Sequence, residues 1–208
     1  VEDLARSMSL QTTKVWLVTE GGEDVQISIA DVKVGDKIRV QMGNVIPFDG
    51  VVCGGEAMLI DGGNVADAQY VVSALAQRGV TALQTVVATH CDEDHCGGLA
   101  GVLAKYPAGR VLCSVTQYDT KAFSDFVKYA AAQDRAIEQP QPGERWELGG
   151  ASVTVLGPLR DYEDNNENSI VLRIDYGETS FLFTGDIGLE AEDELVESGA
   201  ELSATVLK

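Results

Sequence analysis

Positive charge, histidine and cysteine are all scarce in this sequence. Its 208 residues carry 15 Lys and Arg against 33 Asp and Glu, a formal charge of −18, and most of the excess falls in residues 56–208, with 10 basic and 25 acidic side chains. No cluster of Lys and Arg stands out, which excludes a face that grips nucleic-acid phosphates by neutralising charge and releasing counterions. The carboxylates are expected to form mainly a solvated surface, with some gathered round cations. Apolar runs of about 18 residues are missing, as is a basic stretch leading into an apolar one, so neither a membrane span nor a secretory leader is expected within these residues. The four cysteines, Cys53, Cys91, Cys96 and Cys113, are too few for a disulfide scaffold and form no C-x-x-C pair, which leaves the redox compartment open. The first residue is Val1 rather than methionine, as expected of an excerpt, and the length suits one large domain or two small ones.

What is present changes character along the chain. Residues 1–8 place Val1, Leu4, Ala5 and Met8 at helical spacing, and residues 14–19, 25–29, 37–42, 51–53 and 57–60 then read as strands between glycine turns. From residue 64 helices and strands alternate. Asn64 is suited to cap a helix that Gly79 ends, and 85–88 is a short apolar strand of the buried kind. Helices are expected at 99–105, 124–133 and 189–197, with strands at 110–115, 145–148, 152–156, 169–175, 180–184 and 204–207. The acidic segment 161–168 (DYEDNNEN) should be a surface loop.

Both histidines of the chain sit in one polar loop, T-H-C-D-E-D-H-C-G-G, at residues 89–98. His90, Asp92, Asp94 and His95 bring two imidazoles and two carboxylates together after a buried strand, a ligand set suited to zinc, manganese or iron. The bland alternative is a polar turn whose aspartates cap the next helix. Cys91 and Cys96 could add thiolates, although free cysteine is more often a small packed hydrophobe. Trp16 and Trp146 lie in strand-like runs and read as core. Asp186 is placed to cap a following helix, and Asp61 before Gly62 and Gly63 to make a turn.

The pattern His90-x-Asp92-x-Asp94-His95 resembles the H-x-[HD]-x-D-H motif of the metallo-β-lactamase superfamily, in the Asp-bearing variant of ComEC-like hydrolase domains. The likeness extends over about residues 56–208 through M-L-I-D-G-G (58–63), N-S-I-V-L-R (168–173) and F-L-F-T-G-D (181–186). It implies an α/β fold, a partial αββα sandwich, and a zinc or manganese site of two ions with Asp186 between them. His90 and Asp92 would serve one ion, Asp94 and His95 the other, with Asp61 behind them orienting the loop. Asp94 would orient a metal-activated water. The implied reaction is hydrolysis of phosphodiesters, DNA among them, by a bacterial parent at the membrane or in the cytoplasm. The family pattern continues past S-A-T-V-L-K (203–208) into a loop with another His, so the dinuclear site is expected to be incomplete in these residues, its second metal weakly held.

Residues 1–58 resemble part of the actuator domain of P-type cation-transporting ATPases, in V-K-V-G-D-K-I-R-V (32–40), M-G-N-V-I-P-F-D-G-V-V (42–52) and G-E-A-M (55–58). The T-G-E loop of that family is absent, and Gly55 to Met58 fits both families, marking a junction between a β-rich segment (1–55) and a hydrolase domain (56–208). The competing expectation is therefore an inactive fusion, or a binding or regulatory module, in which the metal loop supports no turnover.

Overall fold

The computed structural model describes residues 14–19, 24–39 and 56–208, in a chain that divides into two compact units, Val1–Cys53 and Gly54–Lys208. The helix expected in residues 1–8, the strand at 51–53 and the end of the strand at 37–42 lie outside the described residues. In the first unit β1 (Lys14–Val18), β2 (Asp24–Ser28) and β3 (Ile38–Arg39) form an antiparallel sheet in the order β2-β1-β3. Val15 is its buried residue. Ser28, the last residue of β2, accepts from the Ala30 N–H at 3.3 Å and turns the chain into a short 3-10 helix, Ile29–Asp31, so the strand expected over 25–29 ends one residue early.

The second unit is a sandwich of four layers. Strands β4 (Met58–Ile60), β5 (Leu83–Ala88), β6 (Ala108–Cys113) and β7 (Ile137–Glu138) form a parallel sheet in sequence order. Strands β8 (Arg145–Leu148), β9 (Ala151–Gly157), β10 (Val171–Tyr176) and β11 (Thr179–Phe183) form an antiparallel meander, with β12 (Val206–Leu207) added parallel to β11. The helices are α1 (Ala68–Gln77), α2 (Glu93–Cys96), α3 (Leu99–Leu103), α4 (Lys121–Ala131) and α5 (Leu189–Glu197).

Apolar residues on both faces of β5 and β6 build this arrangement. Val86, Ala88, Val111 and Cys113 turn to one side, where Leu99, Val102, Phe123, Phe126 and the half-buried Val72 and Leu75 cover them. Val87 and Leu112 turn to the other and meet Val153, Val155, Leu172 and Ile174 of the antiparallel sheet. On its far side Val171 and Leu182 pack on Leu195 of α5. Each fully buried Leu, Val or Phe contributes roughly 1.5–3 kcal/mol. In α4 the stripe Ala122, Phe123, Phe126, Ala130 faces the core, and Thr120, one position ahead, accepts from the Phe123 N–H at 3.3 Å to cap it. The αββα architecture expected from the sequence is thus observed.

Parallel pairing brings the carboxyl ends of β4, β5 and β6 to one edge, where open parallel sheets carry their ligands. Backbone packing there is too close for side chains. A Cβ on Gly98 would stand 2.1 Å from the Gly62 carbonyl oxygen, and the Gly98 N–H donates to the Gly63 carbonyl at 2.9 Å.

Candidate metal centre

Strand β5 delivers Thr89 and His90, both buried, to this edge. Asp92 is extended (φ −68°, ψ 149°) and opens α2, a single turn that returns His95 beside His90 with ring centroids 4.1 Å apart. A loop throughout 89–98 was expected. One turn is too short for a periodic signal, and Glu93 and Asp94 in its first turn suit the positive end of the helix dipole. The Asp92 side chain makes no capping bond, contrary to the bland reading of the loop.

Behind the histidines stands Asp61, in the left-handed region (φ +58°) just after β4. Its carboxylate accepts from the Thr89 N–H at 2.8 Å and the Thr89 hydroxyl at 2.9 Å, and lies 2.9 Å from His95 Nδ1. A carboxylate only accepts, so His95 carries its proton on Nδ1 and leaves the Nε2 lone pair free. The Thr89 hydroxyl gives its proton to Asp61 and so can only accept from His90 Nδ1, 3.2 Å away; the Ser169 hydroxyl is 3.3 Å from the same nitrogen. We assign His90 the same tautomer on this network. Burial, then the neighbouring His95 charge, lowers the pKa of His90, whereas the hydrogen bond that His95 donates to Asp61 raises that of His95.

Asp186 approaches the histidine pair from another segment of the chain, nearest to His95. It follows Gly185, whose φ of +59° turns the chain where a Cβ would meet Ser169 at 2.7 Å, and its N–H donates to the Ser169 hydroxyl at 3.2 Å. Capping of α5 falls to Glu167, which accepts from the N–H groups of Gly188 at 3.0 Å and Ala191 at 2.9 Å, so the Asp186 carboxylate is not engaged there. One potential ligand atom from each of His90, His95 and Asp186 lies within 4.8 Å of the others. Asp186 Oδ2 is 3.4 Å from His95 Nε2. Asp92 Oδ2 borders the group 3.6 Å from His90 Nε2, and Asp94 Oδ2 borders it 4.0 Å from His95 Nε2.

The donor set fits a divalent metal on one observation in particular. His90 Nε2 is buried without a hydrogen-bond partner, a loss of roughly 1–3 kcal/mol for a protein that leaves it so. Two imidazoles and a carboxylate are a ligand set that zinc uses in catalytic sites. Burial pushes the thiols of Cys91 and Cys96 up to about 12, which keeps them protonated. They donate to Asn165 Oδ1 at 2.9 Å and to the Cys91 carbonyl at 3.2 Å, as packed thiols rather than ligands.

Sequence reasoning missed Thr89, Ser169, Asn165 and Tyr118. Asn165 Nδ2 donates to Asp92 Oδ1 at 2.7 Å, and the Tyr118 hydroxyl lies 3.4 Å from the same oxygen. Thr89 and Ser169 stood in quoted motifs, next to His90 and at the head of the S-I-V-L-R run. No local signal marks Asn165 or Tyr118.

A helix–sheet–sheet–helix sandwich with imidazoles and carboxylates converging at the carboxyl ends of its parallel strands defines a class of metal-binding αββα proteins. The family model described as the metallo-beta-lactamase superfamily matches residues 50–206, and the chain belongs to that superfamily. The P-type ATPase actuator domain model matches residues 9–85, in keeping with the resemblance of the amino-terminal segment. Competence protein ComA of Neisseria gonorrhoeae is 33% identical over 153 residues, 72% of this chain and 20% of that protein, so the chain spans about a fifth of this relative. Plasma membrane-type calcium-transporting ATPase 8 of Arabidopsis thaliana is 38% identical over 56 residues, 27% of this chain and 5% of that one. Among solved structures, Rm3 metallo-beta-lactamase aligns with a TM-score of 0.49 at 15% identity, over 72% of this chain and 66% of its own. Among the described residues no helix is long and apolar enough to cross a membrane.

Proposed function

We propose that residues 56–208 act as a metal-dependent hydrolase of phosphodiesters, DNA among them. In this proposal zinc or manganese is held by His90, His95 and Asp186, with Asp92 as a further ligand beside His90, and a second ion is held more weakly near Asp94. The observation that carries it is the convergence of the buried, unpartnered His90 Nε2 with His95 and Asp186. The match to a competence protein supports a nucleic-acid substrate.

A divalent metal would supply Lewis-acid charge there and bring the pKa of water towards neutrality. The rest is the work of the side chains. Asp61 and Thr89 hold both imidazoles with Nε2 facing inward, so the ligands need no reorganisation on loading. Asp94, its side chain 63% exposed, stands at the open side of the site, where Oδ2 can take a proton from the attacking water. The acidic surface repels a phosphodiester, so cations at the site serve binding as well as chemistry.

The test is elemental analysis of the purified chain before and after chelation, with turnover of bis(p-nitrophenyl) phosphate in added manganese or zinc. Stoichiometric metal and turnover, both lost when His90 and His95 are changed to Ala, are the expected result. A chain that takes up no metal, with a melting temperature indifferent to EDTA, contradicts the proposal, because a ligand of the native state raises its stability.

A further inference from the structure

The segment at residues 161–168 is more than the solvated acidic loop that its composition suggests. It is braced internally. The Asn168 side chain accepts from the Tyr162 N–H at 2.9 Å and donates to the Tyr162 and Asp164 carbonyls, each at 2.8 Å, while Asp164 accepts from the Asn166 N–H at 2.8 Å. It is also anchored to α5, through Glu167 and through Arg160, which pairs with Glu190 and Glu194 and lies over the Tyr162 ring. From this frame Asn165 reaches the metal loop, 73 residues away in sequence, and donates from Nδ2 to Asp92 Oδ1 at 2.7 Å.

The orientation of that amide follows from the opposite contact. The buried Cys91 thiol donates to Asn165 Oδ1 at 2.9 Å, so the oxygen must face Cys91 and the nitrogen must face Asp92. With Oδ1 of Asp92 held in this way, Oδ2 is the oxygen left beside His90 Nε2, at 3.6 Å. Asp92 needs such help, since its side chain is 38% exposed and makes no capping bond of its own. We infer that Asn165 is a positioning residue for the metal site: it fixes the Asp92 carboxylate so that one oxygen is presented to the ion. The inference rests on the proposal that Asp92 is a metal ligand. A ligating carboxylate works best when its second oxygen is hydrogen-bonded, and removing such a support lowers metal affinity by about 10–100-fold.

The experiment titrates the metal-free chain with Co(II) and records visible absorption bands, which report coordination directly, for wild type, Asn165→Ala, Asp92→Ala and the double variant. The melting temperature of each metal-free chain is measured beside it. The inference expects Asn165→Ala to weaken Co(II) binding about 10-fold or more and to change its bands. It further expects the double variant to bind no more weakly than Asp92→Ala, because Asn165 acts through Asp92. Equal affinity and unchanged bands for wild type and Asn165→Ala overturn the positioning role while leaving the metal site standing. Additive losses in the double variant overturn it as well, showing an effect that does not pass through Asp92. A wild-type chain that takes up no Co(II) overturns the metal site and the inference with it.

Discussion

Changing Asp61 to Asn isolates the tautomer argument from the fold. Asn has the same shape and tolerates the left-handed conformation that Asp61 adopts at φ +58°. Its Oδ1 can still accept from the Thr89 N–H, 2.8 Å away in the parent, but an NH2 then replaces the oxygen that lies 2.9 Å from both the Thr89 hydroxyl and His95 Nδ1. The hydroxyl can rotate to accept. His95 can only relieve the donor–donor contact by moving its proton to Nε2, the atom 3.4 Å from Asp186 Oδ2. The lost charge-assisted hydrogen bond is worth about 1.5–3 kcal/mol. Loss of the partner that orients a ligating imidazole lowers metal affinity about 10–100-fold, or roughly 1.4–2.8 kcal/mol at about 1.4 kcal/mol per decade. Competition of zinc against a chromogenic chelator measures the affinity, and long-range 1H–15N correlation reports which ring nitrogen carries the proton. Affinity within about threefold of wild type, with the proton still on Nδ1, would refute the reasoning.

Other expectations follow from the same geometry. In the metal-free chain Asp61 raises the His95 pKa above its ordinary 6.5, so the stability of the pair is fully present below that value and is lost as the pH climbs through the higher folded-state pKa. The difference in melting temperature between wild type and Asp61→Asn should accordingly be widest between about pH 5 and 6.5 and shrink above; a difference that grows with pH contradicts it. Gly98→Ala, with 2.1 Å between its Cβ and the Gly62 oxygen, should lose about 3 kcal/mol in urea unfolding. Because the substrate and the chain are both negative, kcat/KM for a phosphodiester should rise when ionic strength goes from about 0.01 to 0.15 M, shortening the Debye length from about 30 to 8 Å. A fall over that range would point to a basic binding face instead.

The parts of the fold and site that the sequence revealed are those set by neighbours along the chain. Alternating helices and strands from residue 64 onward and the helix Leu189–Glu197 followed from local periodicity and capping. His90, Asp92, Asp94 and His95 stood out because both histidines of the chain share one short segment. Asp186 and Asp61 came from the family likeness of T-G-D and I-D-G-G, since nothing in the residues themselves separates them from a cap and a turn. Asn165 escaped notice for a physical reason. Its value to the site comes from a hydrogen bond across 73 residues, and in sequence it is one polar side chain in an acidic run. Ser169 is similar, bridging His90 and the Asp186 N–H only after β10 has been laid beside the end of β5. The helical turn at Glu93–Cys96 was also hidden, because four residues cannot display a 3.6-residue repeat.

Anomalous diffraction at the zinc absorption edge, on crystals of the zinc-loaded chain, tests the convergence of the ligands directly. The expected density peak lies about 2.0–2.2 Å from the Nε2 atoms of His90 and His95 and from a carboxylate oxygen of Asp186. A peak bound through Nδ1, or one distant from Asp186, would contradict the account.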